Sequence, residues 1–576
     1  MGKRIVIIGG VAAGMKTASR LRRRDKDAEI IVLERGSEVS YGACGFPYYI
    51  GGDVKEFGCF TNGPQGIRDA AFFKEVKGVD VLIRHEATAI NRNEHTVTYL
   101  NRDTGETKVL PYDKLVLATG STPVKLPIPG ADLVGVHNFW FPWDVHAVKK
   151  DMTENKVTDV VIVGAGLVGM ELAEAFYKQG LTVSVVEMQD RILPQMLDKE
   201  LADLLQKPVL KAGINLYLNE KTMAIEGTDI EGTDIEGTDK VTAVKTDKRV
   251  IPAQMVIVAV GVRPNVELAR EAGLAIGPSG SIAVNEYLET SDPDIYAGGD
   301  CAENTNLISK AKLFTPMGST ANKHGRVIAD NIAGEKIKYP GILNTGICQV
   351  LNWQAGSTGL NETSAKKAGI EFETVVVPGF DRLGYMPGAN RLILKLMAEV
   401  GSHRVIGAQA VGTGGVDKRI DAIATAMAFG AKVEDLSNID YGYAPPFNGP
   451  IDNVSTAANV LMNKLAGHLR SINPKDFQKI KGDPSYTLVD VRTTGEFATN
   501  RIAGCANIVN LPLGSLRSEA EKVFIDKKAN LICSCQIDLR GYEAETIMRA
   551  LGYENVQSLE GGMSGWPYET EGSKPQ

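Results

Sequence analysis

The stretch Asp159–Glu171 has the sequence DVVIVGAGLVGME and decides the fold of the first half of the chain. An apolar run ends in a glycine-rich turn, a helical pattern follows, and a second apolar run, Val183–Val186, ends at the acid Glu187. In such a unit the amides of the turn and the N-terminus of the helix face a pyrophosphate, while the acid accepts from a ribose hydroxyl. The fingerprint glycines are Gly164, Gly166 and Gly169. The stretch therefore predicts a Rossmann-like α/β lobe that binds a dinucleotide.

A second and weaker copy of this unit stands at the N-terminus. Residues 4–8 predict a buried parallel strand, the turn GGVAAG occupies 9–14, and a strand over 30–33 ends at Glu34. Val11 replaces the middle glycine, so this turn taken alone is a weak signal. Because both turns stand in the same strand–turn–helix–strand–acid context, the pair predicts two dinucleotide sites.

Three later segments are expected to complete the two nucleotide lobes. Apolar strands run into glycine turns at 115–121 and 256–264, and a glycine-rich segment at 290–300 ends in Asp300. The carboxylate of Asp300 can accept from cofactor hydroxyls or cap the next helix. Glu187 would place a negative charge where NADPH carries its 2′-phosphate, which favours NADH, although Arg191 could compensate for that charge.

The composition is typical of a multidomain soluble protein. The 576 residues exceed the size of a single core, and 43% hydrophobic with 23% charged residues is ordinary for a globular chain. A net charge of −7 argues against nucleic acid and anionic membranes as partners. The seven cysteines are scattered, and the sequence contains neither a signal-peptide core nor a stretch of about 18 apolar residues. We expect a cytoplasmic protein with no membrane span.

Cys44 is the most informative single residue. It lies in SYGACGFPYY at 40–49, soon after the first turn, and no second cysteine stands two to five positions away. A thiol without a near partner must hold its oxidising equivalent as a sulfenate or a mixed disulfide. The pattern predicts a redox enzyme with Cys44 as its nucleophile.

Residues 3–460 resemble the pyridine nucleotide disulfide oxidoreductases, and more narrowly the single-cysteine branch that contains CoA-disulfide reductase, NADH oxidase and NADH peroxidase. The resemblance rests on both nucleotide turns, on Ala-Thr-Gly at 118–120, on Tyr-Ala-Gly-Gly-Asp at 296–300 and on the setting of Cys44. It implies FAD at the first turn, NADH at the second and a homodimer formed through a domain that begins near residue 330. The residues expected to bind the two cofactors are Gly9, Ala12, Ala13, Gly14, Glu34, Arg35, Ala118, Thr119, Gly120, Gly164, Gly166, Gly169, Glu187, Gly261 and Asp300.

The same resemblance implies a site for a coenzyme A moiety. Its CoA-contacting positions are Lys16, Arg20, Arg23 and Ser40. Basic side chains at this spacing suit phosphates, and a solvated basic helix end is the alternative. The asparagine that the family usually has before the cysteine is Ala43 here, which leaves one polar contact to the substrate unaccounted for.

Two tyrosines complete the expected thiol site. Tyr385 and Tyr443 match tyrosines that this family brings to the cysteine from the partner subunit. A phenol there could protonate a departing thiolate, or either ring could simply pack at the subunit interface.

From Ser471 the chain changes character and resembles a rhodanese domain over about 470–570. The matching positions are DVR at 490–492, Glu496, RIAG at 501–504, the loop that begins at Cys535, and EGG at 560–562 with Trp566. The resemblance implies that Cys535 carries a persulfide and that Arg540 steadies the anion, in a loop before a helix over 543–551. Asp538 stands where the family often has glycine, and its charge would disfavour an anionic donor such as thiosulfate.

The sequence predicts no metal site. None of the seven histidines has a metal-ligand spacing with a cysteine, and the pair Cys533 and Cys535 lacks two further ligands nearby. We expect Cys533 to pack on the preceding strand, with a regulatory disulfide to Cys535 as the alternative. The pentad IEGTD, repeated three times over 225–239, is expected to extend a surface loop of the NADH lobe.

The predicted fold class is α/β, with two Rossmann-like FAD- and NADH-binding domains, an α+β dimerisation domain and a C-terminal α/β rhodanese-like domain. The expected limits are 1–115 and 255–330 for the FAD domain, 116–254 for the NADH domain, 331–465 for the dimerisation domain and 471–572 for the rhodanese-like domain.

The fusion of a CoA-type disulfide reductase to a sulfur carrier indicates a substrate that contains sulfane sulfur. We expect an NADH-dependent flavoprotein that reduces CoA persulfide, polysulfide or CoA disulfide at Cys44, while Cys535 loads or delivers sulfur. The alternatives are an NADH oxidase, in which Cys44 cycles through a sulfenate, and a sulfur-relay or persulfide-sensing protein.

Overall fold

The computed structural model describes residues 2–63, 66–229 and 239–572, and the chain divides into two compact units. Unit 1 comprises Met1–Met188 and Glu220–Ile342, and unit 2 comprises Gln189–Asn219 and Leu343–Gln576. The second and third copies of the pentad, except for the last residue, lie outside the described residues. Among the helices that the structure describes, none has the length and apolar character needed to cross a membrane.

Unit 1 contains two parallel sheets, one behind each glycine-rich turn. In spatial order, the five strands of the first sheet are Ile295–Ala297, Lys114–Leu117, Arg4–Ile8, Glu29–Glu34 and Asp80–Ile83. Along the central strand, Ile5 and Ile7 pack in one core cluster, while Val6 and Ile8 pack in another. Because both faces of the sheet are covered, this strand is an unbroken apolar run, as the sequence predicted.

The second sheet is built on the stretch that decided the fold. Within unit 1 its parallel strands are, in spatial order, Val136–His137, Met255–Val258, Asp159–Val163 and Thr182–Glu187. The strand Met255–Val258 pairs with Asp159–Val163 of the NADH lobe. The boundary between the NADH domain and the second FAD segment, expected at 255, therefore lies after Val258. The strand Lys114–Leu117 pairs in the first sheet. The end of the first FAD segment, expected at 115, therefore lies after Leu117. The other domain limits stay predictions.

Helices and short antiparallel strands surround these two sheets. The helices are Ala12–Arg24, Phe46–Ile50, Ala70–Lys77, Pro142–Glu154, Leu167–Lys178, Glu267–Glu271 and Gly318–Ile332, with 3-10 turns at Ala43–Gly45 and Phe57–Phe60. The antiparallel strands are His85–Asn91, Thr96–Asn101 and Thr107–Pro111 in one sheet, and Thr222–Asp229, Asp239–Thr246 and Val250–Pro252 in another. Strand pairs are Ser121–Pro123 with Val262–Pro264, Asn62–Gly63 with Gly66–Ile67, and Asn304–Thr305 with Lys312–Leu313.

The first part of unit 2 is an antiparallel sheet covered by helices, which is the expected α+β arrangement. In spatial order its strands are Gly346–Val350, Trp353–Gly359, Val405–Gly412, Arg391–Glu399 and Phe372–Phe380. The helices are Lys199–Lys211, Glu362–Lys367, Val416–Ala428, Val433–Asn438 and Asn453–Leu465. A strand at Asn215–Leu218 follows the first of these helices.

The C-terminal part of unit 2 is a parallel sheet with helices. In spatial order its strands are Ser471–Ile472, Val556–Leu559, Asn530–Ser534, Tyr486–Asp490 and Ile508–Asn510, and the helices are Pro474–Ile480, Thr494–Thr499, Leu513–Val523 and Leu539–Ala550. The last helix begins at Leu539 and not at 543, because Asp538 adopts a left-handed conformation (φ 76°) that ends the loop. Arg540 therefore lies in the first helical turn.

A buried charge cluster lies in the interior of unit 2. Lys395, on the strand Arg391–Glu399, is 1% exposed and forms ion pairs with Asp198 at 2.9 Å, with Glu362 at 2.6 Å and with Glu200. Lys475, from the C-terminal part, contacts the other oxygen of Glu362 at 2.9 Å. Burial alone would raise the pKa of Glu362, but the two ammonium groups hold it well below its usual value. The three carboxylates are close enough to share a cation, and the ammonium of Lys395 fills that position.

Replacement of Lys395 tests how much this cluster stabilises unit 2. We expect Lys395→Met to lower the free energy of unfolding at pH 7 by about 3–5 kcal/mol, because it leaves buried carboxylates without a counter-charge. The depressed pKa of Glu362 contributes stability above its unfolded pKa, and this contribution disappears as the pH falls through the folded pKa. The loss should therefore shrink toward acid pH in urea unfolding curves.

Lys366 provides the matched control, because it also pairs with Glu362, at 3.5 Å, but is 68% exposed. Lys366→Met should change the free energy of unfolding by no more than about 0.5 kcal/mol. Equal and small effects of the two substitutions would contradict this account of the cluster.

Candidate active site

The first glycine-rich turn has the backbone geometry of a dinucleotide site. Gly9 has a φ of 111°, and a Cβ atom there would lie 2.1 Å from the carbonyl oxygen of Ala118. A Cβ atom on Gly14 would lie 1.9 Å from the carbonyl oxygen of Gly9, so strand and helix approach as closely as glycine alone allows. The acid Glu34 accepts from the Gly10 amide at 2.7 Å and thus lies beside the turn.

The remaining residues expected around FAD surround the same turn. Ala12 and Ala13 begin the helix that follows it, and the Ala118 amide donates to the carbonyl of Ile8 at its other side. The guanidinium of Arg35 lies 5.5 Å from the ring centre of Phe141. The ring of Phe141 in turn stacks on that of Trp143, at 4.4 Å between centroids. The expected residues therefore form one neighbourhood in unit 1.

Asp300 is a desolvated carboxylate with spare hydrogen-bonding capacity. Its hydrogen-bond partner is the hydroxyl of Ser121 at 2.7 Å, and burial raises the pKa of the acid. Nearby, Thr119 donates to the carbonyl of Asn265 at 2.7 Å, and Gly120 (φ 70°) faces open space. A half-buried acid near open space fits the hydroxyls of a bound cofactor.

The second turn repeats this geometry. Gly164 has a φ of 107°, and a Cβ atom on Gly169 would lie 2.0 Å from the carbonyl oxygen of Gly164. At Gly166 a Cβ atom would meet nothing within 4 Å, which leaves room for a pyrophosphate. Glu187 accepts from the Ala165 amide at 2.9 Å. The residues of both turns therefore fit dinucleotides.

Gly261 and Arg191 are the two remaining residues that the sequence analysis considered for nucleotide binding. Gly261 has a φ of 100° and faces open space in unit 1. The guanidinium of Arg191 is held within unit 2, where it pairs with Asp190 at 2.7 Å and donates to the carbonyl of Leu197 at 3.0 Å. The charge of Arg191 is therefore matched by a neighbour within unit 2.

Cys44 lies at the surface in the turn Ala43–Gly45, which leads directly into the helix Phe46–Ile50. Phe57 and Phe60 pack against the ring of Phe46, with centroids 5.6 and 5.3 Å away, and so support the turn. Packing around the sulfur raises the pKa of the Cys44 thiol, and the carboxylates of Glu171 and Asp300 raise it further. These neighbours therefore favour the thiol over the thiolate.

A cavity of about 550 Å³ opens beside this turn. Its basic lining residues are Lys16, Arg23, Arg68 and Lys77, and its aromatic ones include Tyr41, Phe60 and Phe72. Ser40 also lines it, in a left-handed conformation (φ 55°). Of the residues predicted to contact CoA, Lys16, Arg23 and Ser40 therefore face one cavity.

Arg20 is the exception among the predicted CoA contacts. Its guanidinium pairs with Asp330 at 2.8 Å, on the helix Gly318–Ile332, and it is not among the residues that line the cavity. Sequence spacing could not reveal this pairing, because the two residues are 310 positions apart. Arg68 and Lys77 are basic residues of the cavity that the sequence analysis missed, since only the folded chain brings them to the helix Ala12–Arg24.

The two candidate tyrosines lie on loops of unit 2. Tyr385 is 73% exposed and Tyr443 is 54% exposed. Large exposed phenols of this kind are available to a second subunit.

The rhodanese-like loop brings together three predicted residues. Cys535 directly follows the strand Asn530–Ser534 and is buried, and it adds to the larger effect of Glu496 that raises the pKa of Arg540. The guanidinium of Arg540 also donates to both oxygens of Glu496, at 2.8 and 3.0 Å, and holds the pKa of that acid at about 2. Cys533 is buried on the strand, as predicted.

Asp538 does not point its charge at an incoming anion. Its carboxyl group accepts from the hydroxyl of Ser558, inside the domain. Burial, with smaller effects of Glu560 and Glu545, raises the pKa of Asp538 to about 7. Asp538 is therefore only partly ionised at neutral pH and is held inside the domain. It should repel an anionic sulfur donor less than the sequence alone suggests.

Comparison with known proteins identifies each part of the chain. The family model of the pyridine nucleotide-disulphide oxidoreductases matches residues 3–313, the model of their dimerisation domain matches 346–454, and the rhodanese-like domain model matches 473–568. These matches confirm the predicted domain types and their order.

Three similar proteins cover most or all of the chain. An NAD(P)H sulfur oxidoreductase (CoA-dependent) of Pyrococcus furiosus is 36% identical over 459 residues, which are 80% of this chain and 99% of that protein. An NADH oxidase of Methanocaldococcus jannaschii is 35% identical over 464 residues, again 80% and 99%. The solved structure of an NAD-dependent persulfide reductase from A. fulgidus has a TM-score of 0.90 at 41% identity and covers 98% of this chain and 100% of its own. The chain belongs to the pyridine nucleotide-disulphide oxidoreductase family and carries its dimerisation domain and a C-terminal rhodanese-like domain.

Proposed function

We propose that this oxidoreductase uses NADH to reduce CoA persulfide, polysulfide or CoA disulfide at Cys44, while its rhodanese-like domain handles sulfane sulfur. Members of the family use FAD and a pyridine nucleotide, and these cofactors, when bound, supply the two electrons that the reduction requires. The residues around Gly9 and Asp300 would hold FAD, and those around Gly166 and Glu187 would hold NADH. The names of the P. furiosus and A. fulgidus proteins support this substrate class.

The continuity between the basic cavity and the thiol carries the proposal. Ser40 and Gly42 line the cavity, and Cys44 stands two positions after Gly42 on the same segment. Lys16 and Arg23 supply the positive charge that the phosphates of a CoA moiety need. Oxygen is small and uncharged and requires no such cavity, so the geometry favours a CoA-linked substrate over the oxidase reaction named for the M. jannaschii relative.

A homodimer would complete the thiol site. In this proposal Tyr385 and Tyr443 of one subunit approach Cys44 of the other, and a phenol protonates the departing thiolate. Phe447 and Ile451, four and eight positions after Tyr443, are exposed apolar side chains that a second subunit would cover.

The rhodanese-like domain would load or deliver sulfane sulfur at Cys535. The electrostatic effect that Cys535 and Arg540 have on each other supports an anionic sulfur at that position. We keep the cytoplasm as the proposed location because all seven cysteines are free thiols.

Anaerobic NADH oxidation tests the proposed function. We expect CoA persulfide, CoA disulfide or polysulfide to support turnover much faster than oxygen does, with sulfide released from the sulfane-sulfur substrates. NADH absorbance and released sulfide are measured together. A rate with oxygen alone that exceeds the rates with every sulfur substrate would assign the oxidase reaction instead.

Cysteine variants divide this reaction between the two domains. Cys44→Ser should lower the sulfur-dependent rate about 10³-fold or more, because the nucleophile is lost. Cys535→Ser should leave the NADH-dependent reduction of CoA disulfide unchanged. Cys59→Ser is the control, since this thiol is also exposed but lies outside the turn that carries Cys44. Full activity of Cys44→Ser would contradict the proposal.

The basic wall of the cavity is tested with Arg68→Met and Lys77→Met. Each substitution removes a cation from the phosphate site, and we expect KM for CoA disulfide to rise about tenfold with little change in kcat. A substrate that lacks the nucleotide, pantethine, should be affected much less.

Lys74→Met is the matched control on the helix Ala70–Lys77, because Lys74 pairs with Asp80 and does not line the cavity. If the wild type and these three variants had the same KM for CoA disulfide, the CoA moiety would bind outside this cavity.

A further inference from the structure

The turn 560–562 belongs to the rhodanese-like part of unit 2, but its acid is held by the antiparallel part. Glu560 is 1% exposed. One of its carboxylate oxygens accepts from the ammonium of Lys464 at 2.9 Å, and the other accepts from the backbone amide of Val376 at 3.2 Å. Lys464 lies on the helix Asn453–Leu465, and Val376 lies on the edge strand of the antiparallel sheet. Two elements of the dimerisation domain therefore bind this acid.

The ammonium of Lys464 is fully used within unit 2. It also donates to the carbonyl of Thr374 at 2.9 Å and pairs with Glu373 at 3.1 Å. Burial alone would lower the pKa of Lys464, but Glu560 and Glu373 raise it above its usual value. Because Glu560 is buried, removal of Lys464 would leave its carboxylate without a matching charge. The pair therefore fixes the turn to the dimerisation domain.

The same turn contacts the loop that begins at Cys535. A Cβ atom on Gly562 (φ 50°) would lie 2.3 Å from the carbonyl oxygen of Cys535. The amides of Met563 and Ser564 donate to the carbonyls of Cys535 and Gln536, each at 2.9 Å. The side-chain amide of Gln536 donates in turn to the hydroxyl of Ser564 at 3.1 Å. The turn thus fixes the first two carbonyl groups of the sulfur loop.

These bonds also set the direction of the amides that follow Cys535. In a trans peptide group the N–H points opposite to the C=O. Because both carbonyls point at residues 563 and 564, the amides of Gln536 and Ile537 point to the other side of the loop. Neither amide donates to an acceptor among the residues that the structure describes. Both are therefore available to an anionic sulfur.

We propose that Lys464 is a positioning residue for the sulfur site of the rhodanese-like domain. Through Glu560 it holds the turn 560–562 against the Cys535 loop, so that the dimerisation domain keeps the loop amides aligned. The role rests on the proposed function in one respect, namely that Cys535 carries sulfur.

The sulfur transfer that this alignment serves needs no redox cofactor. The Sγ atom of Cys535 attacks the outer sulfur of a persulfide R–S–SH, a new S–S bond forms, and the S–S bond of the donor breaks. The proton of the Cys535 thiol passes to the departing thiolate. The sum is Cys535–SH plus R–S–SH giving Cys535–S–SH plus R–SH, and aligned amides stabilise the anionic sulfur during the transfer.

Hydrogen exchange tests the coupling without any substrate. In the full chain, Lys464→Met should speed exchange at the amides of Met563 and Ser564 about tenfold or more, because the released turn no longer holds them against the loop carbonyls. Exchange is followed by mass spectrometry of peptides that contain both residues.

Lys475→Met is the matched control for this experiment. Lys475 also joins the two parts of unit 2 through a buried acid, but that acid is Glu362 of the Lys395 cluster and not Glu560. The control should leave exchange at residues 563 and 564 unchanged.

Transfer of sulfur to cyanide tests the consequence for the reaction. The enzyme is loaded with glutathione persulfide, desalted and mixed with cyanide, so that Cys535–S–SH plus CN⁻ gives Cys535–SH plus SCN⁻. Lys464→Met should lower the rate of thiocyanate formation about tenfold, since the departing Cys535 thiolate loses its aligned donors. Lys464→Arg, which keeps the charge, should recover most of the rate. Cys535→Ser supplies the background, and Lys475→Met should stay within about twofold of the wild type.

A double variant tests whether the lysine acts through the acid. Lys464→Met combined with Glu560→Gln should transfer sulfur no more slowly than the slower of the two single variants. Independent effects would instead multiply and contradict the proposed route.

The outcomes separate this role from the proposed function. Unchanged exchange or unchanged sulfur transfer in Lys464→Met overturns the positioning role, and so do equal losses in Lys464→Met and Lys475→Met. A wild-type enzyme that gains no persulfide on Cys535 overturns the sulfur-carrying role of the domain, while faster exchange in Lys464→Met would still support the coupling.

Discussion

The close approach of a helix to the strand before it is the constraint on which the active unit depends. Gly14 lies against the carbonyl of Gly9, and Gly169 lies against the carbonyl of Gly164, with no room for a side chain in either place. Each contact sets where the following helix runs. The first helix then presents Lys16 to the cavity, and the second packs beside the segment of Cys44. The same glycines that leave room for a pyrophosphate therefore also position the cavity and the segment of Cys44.

Desolvation of acids and thiols without matching cations distinguishes the reaction site from the structural charges. The carboxylates around Lys395 are buried but matched, so the pKa of Glu362 falls and the cluster stabilises the fold. Near the thiol the opposite holds: Glu171 and Cys44 both have raised pKa values, and no cation among the described residues lowers them.

Local patterns were sufficient to predict the strands, both turns and the domain order, because each depends on neighbours in sequence. Contacts between distant residues were not predictable: Arg20 pairs with Asp330, and Arg68 lines the cavity without any local signal. The helix start at Leu539 depended on the left-handed backbone of the preceding residue, which an aspartate seldom adopts. The parts that failed were those that tertiary contacts decide.

The central claim is that Cys44 forms a covalent bond with the CoA moiety of its substrate. The most direct measurement is peptide mass spectrometry of the reduced enzyme, quenched in acid after mixing with one equivalent of CoA persulfide and before further NADH is added. The account predicts a CoA mixed disulfide on the peptide that contains Cys44, which disappears when NADH is supplied. Turnover with Cys44 unmodified, or modified only to a sulfenate, would contradict it.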